Sequence, residues 1–328
     1  MQSGLNGSWD AKTGVGLEQQ KQYRLLTRGD FDGVVCAALL KERGLVDEIV
    51  FVDPRQMQHR EVSVTERDIT ANLPFVPGCH LAFDHHSSET IRAHDAAAAR
   101  FVNNPVAPSA AQVIYEYYGG ARAFPNIRAE LITAVNRADS ARFSHEEIMN
   151  PSGYVLINFL LDGRTGLGRF RDFRISTVEL LRLMVDACRE HTADELLLLP
   201  HISERVRVYF EQEEYFKQQI RRIADLQGKL VVLDLRNEER IYAGNRFMVY
   251  ALYPEASVSM HCLREPEKSA TLFAIGRSIV NRTCTVNVGE LCLAYEGGGH
   301  NAAGTCQVAD GDADRVKREL ITRLRMGV

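Results

Sequence analysis

The segment Cys79-His80-Leu81-Ala82-Phe83-Asp84-His85-His86 decides how the rest of the chain is read. Its apolar part, residues 79–83, reads as a buried strand that delivers one carboxylate and two imidazoles to a single point. In an open α/β sheet, ligands bind at the carboxyl ends of strands. Asp84, His85 and His86 are therefore candidates for metal or phosphate contact. Working outward, strands and helices alternate. Residues 23–27 read as a first strand, 34–41 as a helix ended near Gly44, 48–52 as a strand stopped by Pro54, and 69–75 as another, broken by Pro74 and Pro77. Ser109 is placed to cap a helix over 110–118, closed by Gly119-Gly120, and an amphipathic helix follows over 127–136. This alternation predicts a mostly parallel sheet covered on both faces.

Residues 176–223 then turn strongly helical, with apolar residues at three-to-four spacing, and Gly228 ends the run. Strand-like stretches follow at 230–233, 247–252, 258–263 and 271–275, with helices at 288–295 and 312–325 flanking a glycine-rich turn. The expected fold class is α/β in two domains. A larger, mostly parallel α/β sheet domain and a smaller α/β C-terminal domain are joined by a helical arm. The expected divisions are a loose tail over 1–20, the larger domain over 21–195, the arm over 196–227 and the smaller domain over 228–328.

Bulk properties agree with this reading. A chain of 328 residues is long for one core. The net charge of −4 argues against wrapping long duplex nucleic acid, which needs an extended basic face. It leaves room for a short anionic substrate held by metal and a few arginines. None of the seven cysteines forms a Cys-x-x-Cys pair, so a zinc finger is not expected, and scattered reduced thiols point to the cytoplasm. No apolar run reaches the ~18 residues that a membrane span needs, and no signal-peptide pattern opens the chain.

Three further groups of residues carry chemistry. Asp30 and Asp32 follow the first strand, with Gly33 opening the next helix. If that stretch is extended, both carboxylates face one pocket, and Gly33 keeps the turn tight. Paired carboxylates near an imidazole suit Mn²⁺ or Mg²⁺. Asp139 ends an apolar helix, where the macrodipole disfavours a negative charge and a cation compensates it. Gly297-Gly298-Gly299-His300, followed by Ala302-Ala303-Gly304, offers backbone N–H groups for an anion-binding nest. The segment from Arg164 to Arg174 carries four arginines and is a candidate polyanion contact.

Taken in order, Asp30-x-Asp32-Gly33, Asp84-His85-His86, Asp139 and Gly297-Gly298-Gly299-His300 resemble the DHH phosphoesterase superfamily with its C-terminal DHH-associated domain. The match covers nearly the whole chain after the tail, with a DHH catalytic domain followed by a substrate-binding domain. The resemblance implies a metal-dependent phosphoesterase that hydrolyses short oligonucleotides or related phosphorylated nucleotides with two Mn²⁺ or Mg²⁺ ions. Asp30, Asp32, His85 and Asp139 would be metal ligands, Asp84 a ligand or an orienting group, and His86 the residue facing the scissile phosphate. Arg277, Gly298, Gly299 and His300 would hold the distal part of the substrate. Two positions depart from the pattern. Leu26 stands where many relatives have a His, and the strand before the triplet ends near Asn72 rather than at a bridging Asp. Asp68 is taken for that bridging role, with Asp53 as the alternative. Two other functions remain open: an exopolyphosphatase or pyrophosphatase-like hydrolase, and a catalytically degenerate nucleotide-binding protein. The expected partner is a short single-stranded oligonucleotide or phosphorylated nucleotide, not long duplex DNA or a membrane, and the helical arm is a surface on which two subunits can pair.

Overall fold

The computed structural model describes residues 22–86, 100–265 and 269–328, so the expected tail lies outside the described residues. The chain divides into two compact units. One holds the residues up to Arg28 together with Asp32–Ala129, and the other holds Gly29–Phe31 together with Glu130–Val328.

The first unit is built on five strands: β1 (Tyr23–Arg28), β2 (Val46–Val52), β3 (Asp68–Ala71), β4 (Leu81–Asp84) and β5 (Phe101–Asn103). They pair in parallel in the order β2-β1-β3-β4-β5. Parallel strands covered on both faces lose the in-out alternation of a one-sided sheet. Accordingly Leu25, Leu26 and Thr27 of β1 are all fully buried. The helix Phe31–Glu42 is just as enclosed, since every residue from Phe31 to Leu40 is buried. Leu26 packs with Val52, Met57 and Leu73 in one apolar cluster. The chain runs from β1 to β2 on one side and returns to β3 on the other. The reversal of strand order therefore falls between β1 and β3, where a crevice opens at the carboxyl ends.

The second unit carries the helices of the expected arm, Thr177–Glu190, Ala193–Leu198 and Pro200–Ile223, and a six-stranded mixed sheet. Its strands are β6 (Ala224–Gln227), β7 (Leu230–Asp234), β8 (Val258–Glu265), β9 (Ala270–Arg277), β10 (Gly298–His300) and β11 (Ala303–Ala309), in the order β10-β11-β9-β8-β7-β6. All neighbours are antiparallel except β7 and β8. A core of Val258, Met260, Phe273, Ile275, Val288 and Leu320 lies between this sheet and the helices Val288–Leu293 and Ala313–Arg325.

Several local readings change. Residues 247–252 form the helix Met248–Leu252, not a strand; a continuous apolar run fits either state when it is buried on all sides. Residues 224–227, expected to continue the arm, leave the helix and pair as β6 with β7. The glycine-rich turn is a β-hairpin, β10 with β11. All seven cysteines are buried thiols. Among the described residues no helix is long and apolar enough to cross a membrane.

Candidate active site

Residue Phe31 already begins a helix, so Asp32 lies in a first helical turn and the extended geometry expected for Asp30-x-Asp32 does not form. Gly33 is required here by close approach, because a Cβ at this position would stand 1.9 Å from the carbonyl oxygen of Arg28. Asp32 is 2% exposed. Its two oxygens accept from the backbone N–H groups of Ala110 and Ala111, each at 2.9 Å. Those amides open the helix Ala110–Tyr117, whose Ser109 cap forms as expected and accepts from Gln112 N. The N-terminal charge of that helix thus holds the Asp32 carboxylate in place.

The triplet ends β4 as anticipated. Asp84 is the last strand residue and is 1% exposed. Its Oδ1 lies 2.6 Å from His86 Nδ1, while its buried Oδ2 has no hydrogen-bond partner among the described residues. His85 Nδ1 lies 3.2 Å from the carbonyl oxygen of Ala107. A carbonyl only accepts, so Nδ1 carries the proton and Nε2 keeps the lone pair that a metal needs. A carboxylate oxygen of Asp32 and a ring nitrogen of His85 lie within 4.8 Å of each other. This donor set fits a divalent cation. One oxygen and one nitrogen sit within reach of a shared ion, the imidazole tautomer is fixed for ligation, and Asp84 adds a buried oxygen that still lacks a hydrogen bond.

The bridging position is corrected. Asp68 opens β3 at the amino end of the sheet, opposite Arg24 of β1. Arg24 Nε donates to Asp68 Oδ1 at 2.6 Å and Arg24 Nη2 to Oδ2 at 3.0 Å, and Thr65 N donates to Oδ2 at 2.6 Å. Burial pushes this carboxyl up, but the hydrogen bonds from Arg24 and Thr65 hold it below its ordinary value. Asp68 is thus spent on structure, at the wrong end of its strand for the triplet. Asp53, the alternative, is exposed and caps the helix Pro54–Gln58, accepting from Arg55 N at 2.8 Å. Asn72 occupies the step after β3, level with Asp84 and next to the carboxyl end of β1. It is 1% exposed, with φ of 55° and its N–H on Phe83 O. The neutral amide therefore stands where the pattern places a carboxylate. Leu26 belongs to the apolar cluster and supplies no ligand.

In the second unit, Asp139 is the exposed final residue of the helix Ala129–Asp139, and Asp30 is half-buried just before its helix. Both carboxylates act on Arg164. Burial pushes that guanidinium down, but Asp162, Asp30 and Asp139 together raise it above its ordinary value. Asp162 was not anticipated. It ends the helix Gly153–Leu161 and is held by Arg164 at 2.7 Å and Arg246 at 3.4 Å. The Asp-Gly-Arg-Thr-Gly run was its sequence signal. Arg169, also of the arginine-rich segment, donates to the carbonyls of Ile241 and Tyr242 rather than standing ready for a polyanion.

Arg277 ends β9 and lies against the hairpin turn. Its N–H donates to Ala302 O at 2.7 Å and its Nη1 to Asn301 Oδ1 at 3.3 Å. The structure therefore sets Arg277 against the turn that follows Gly298, Gly299 and His300. Gly297 and Gly299 are set by packing, since a Cβ would lie 2.2 Å from Thr305 O and 2.3 Å from Ala303 O respectively. Gly298 faces open space and His300 is exposed.

The parallel sheet thus brings Asp32, beside its switch point, and the Asp84-His85-His86 triplet to its carboxyl end, a donor set that fits a divalent cation. No family model matches the chain, and no curated protein matches it in sequence. Among solved structures, it is similar to the pGpG-specific phosphodiesterase PggH from Vibrio cholerae, at 48% identity and a TM-score of 0.78, over 94% of this chain and 100% of that one. It shares its fold with an exopolyphosphatase-related protein from Bacteroides fragilis, at 12% identity and a TM-score of 0.51, over 93% of each chain. It also shares its fold with RecJ from Thermus thermophilus in complex with Mn²⁺, at 16% identity and a TM-score of 0.54, over 94% of this chain and 52% of that one. The chain belongs to the DHH phosphoesterase superfamily.

Proposed function

We propose that this protein is a divalent-metal-dependent phosphodiesterase that hydrolyses short oligonucleotides, with the dinucleotide pGpG as its substrate. The observation that carries this reading is 48% identity, over nearly the full length of both chains, to a phosphodiesterase described as pGpG-specific. Asp30, Asp32, His85 and Asp139 are the proposed ligands of two Mn²⁺ or Mg²⁺ ions, with Asp84 and Asn72 beside them. Such ions lower the pKa of a coordinated water and neutralise charge on phosphoryl oxygens. The protein's own groups do the rest. Asp32 is pinned by two amides, and His85 is fixed by Ala107, so the ligand atoms are ordered in advance. Asp84 accepts the Nδ1 proton of His86 and leaves Nε2 of that ring for the scissile phosphate. Arg277, Gly298, Gly299 and His300 are proposed to hold the far nucleotide. The expected divisions at residues 195 and 227 remain our reading of where the catalytic and substrate-binding domains meet the arm. The buried, unlinked thiols favour a reducing, cytoplasmic setting.

Purified protein with Mn²⁺ is expected to convert pGpG and water into two molecules of GMP and to leave inorganic polyphosphate intact. His85→Ala is expected to lower the rate by at least ~10³-fold, as loss of a metal ligand removes the cation's whole contribution. Unchanged hydrolysis by that variant, or preferential attack on polyphosphate, overturns the reading. Mn²⁺ binding without turnover of any nucleotide tested points instead to a degenerate nucleotide-binding protein.

A further inference from the structure

A cleft of about 290 Å³ opens within the first unit, and none of the proposed metal ligands lines it. Met57, Gln58 and Arg60 border it at the end of the helix Pro54–Gln58, and Pro74, Phe75 and Val76 border it from the segment after β3. The size falls at the lower end of the ~300–1,000 Å³ range of ligand cavities and suits one ring system with a single charged group. The walls are apolar. Met57 is 1% exposed and packs with Leu26, Val52 and Leu73. The ring of Phe75 is held by stacking on Phe101, with centroids 4.7 Å apart. A thioether and an aromatic ring beside prolines receive the flat face of a heterocycle.

The rim is polar and fixed by the way the helix stops. Glu61 N donates to Gln56 O at 2.9 Å and Arg60 N to Met57 O at 3.1 Å, the paired bonds of a Schellman ending. That ending puts Arg60 in the left-handed region, with φ of 56°, where glycine is the usual occupant. An arginine bears strain there, and strain of this kind collects at ligand clamps. The exposed Arg60 guanidinium and Gln58 amide have no hydrogen-bond or ion-pair partner among the described residues. The neighbouring carboxylate, Glu61, lies 3.7 Å from His59. The lining therefore holds one unpaired cation and no carboxylate, which selects a ligand with a negative charge.

We propose that this cleft is a second nucleotide site, apart from the metal ligands, that takes one purine nucleoside monophosphate. The base lies against Phe75 and Met57. Its polar edge meets the Gln58 amide, which both donates and accepts. The phosphate meets Arg60, whose guanidinium forks onto two oxygens. The choice of nucleotide rests on reading the chain as a pGpG hydrolase, since GMP is then the aromatic anion that it releases.

The test follows the Met57 methyl group. Full-length protein with ¹³C-labelled methionine methyls and Mg²⁺ is titrated with GMP, guanosine and inorganic phosphate, and the Met57 signal, assigned with Met57→Leu, is read by NMR. GMP is expected to shift that signal along one saturating curve. Guanosine is expected to need a ~10-fold higher concentration, having lost the charged hydrogen bond. Phosphate alone is expected to leave the signal in place. Arg60→Gln is expected to weaken GMP binding by ~10–100-fold, the cost of a hydrogen bond to a charged group. Phe75→Leu is expected to weaken it by ~10-fold, the cost of lost stacking under a base. Both variants are expected to keep the wild-type kcat on pGpG. If Phe75→Leu does not fold, the exposed Arg60→Gln decides alone. A Met57 signal that GMP leaves unmoved, that phosphate moves as readily, or that GMP moves equally well in Arg60→Gln overturns the inference while pGpG cleavage stands. Failure of the wild type to cleave pGpG overturns the reading on which the choice of nucleotide rests.

Discussion

Asp68 and Asp84 lie on neighbouring parallel strands, and each is 1% exposed, yet they do opposite work. Asp68 opens β3 and has both oxygens saturated by Arg24 and Thr65. Asp84 closes β4 with one oxygen on His86 and the other without a hydrogen-bond partner among the described residues. Burial alone therefore does not mark a functional carboxylate. What separates the two is the end of the strand and whether the acceptor capacity is used up.

Exchange of charge at these two positions breaks the comparison or sharpens it. Asp84→Asn is expected to lower kcat by ~10–100-fold, since it loosens the group that orients the His86 imidazole proposed to face the phosphate. Its urea midpoint is expected to stay near wild type. Asp68→Asn is expected to do the reverse, costing ~2 kcal/mol in urea unfolding, less than a fully buried pair because Arg24 is 32% exposed. Its kcat is expected to be that of wild type. Equal loss of activity in both variants would erase the distinction.

The pH dependence follows from the same pair. The Asp68 carboxyl is held below its ordinary value, so the folded state binds its proton less readily than the unfolded state. Its stabilisation is full above the unfolded carboxylate pKa of about 3.9 and drains away as pH falls through the lower folded value. The stability gap between wild type and Asp68→Asn is expected to shrink over that acidic window, read by urea titrations at stepped pH. Arg24→Lys carries the smallest effect. It keeps the charge but loses the two-point grip on Asp68, and a cost of ~1 kcal/mol is expected.

The contrast also explains what was legible in the sequence. The alternation of strands and helices gave the parallel sheet, and Asp84-His85-His86 was readable because an apolar run led straight into it. Asp68 was misread because distance along the chain does not say which end of a strand a residue occupies; pairing of β1 with β3 decides that. Asp32 was singled out, but not its anchor, because the amides of Ala110 and Ala111 come from a distant helix. The pairing of Arg246 with Asp162 was hidden for the same reason, since the two are joined only in space. The strands β10 and β11 were hidden by glycine, which usually argues for a turn and here permits close backbone approach.

The grip of Ala110 and Ala111 on Asp32 also fixes an order of events during synthesis. The bond closes a loop whose ends are 78 positions apart. A nascent chain that has displayed the aspartate and both histidines still lacks the two amides that hold the aspartate still. Until the helix after β5 leaves the ribosome and docks, the growing polypeptide carries the triplet without an ordered oxygen beside it. Competence to capture a cation is thus postponed until the first sheet is complete, a delay that truncated chains ending on either side of residue 117 would expose.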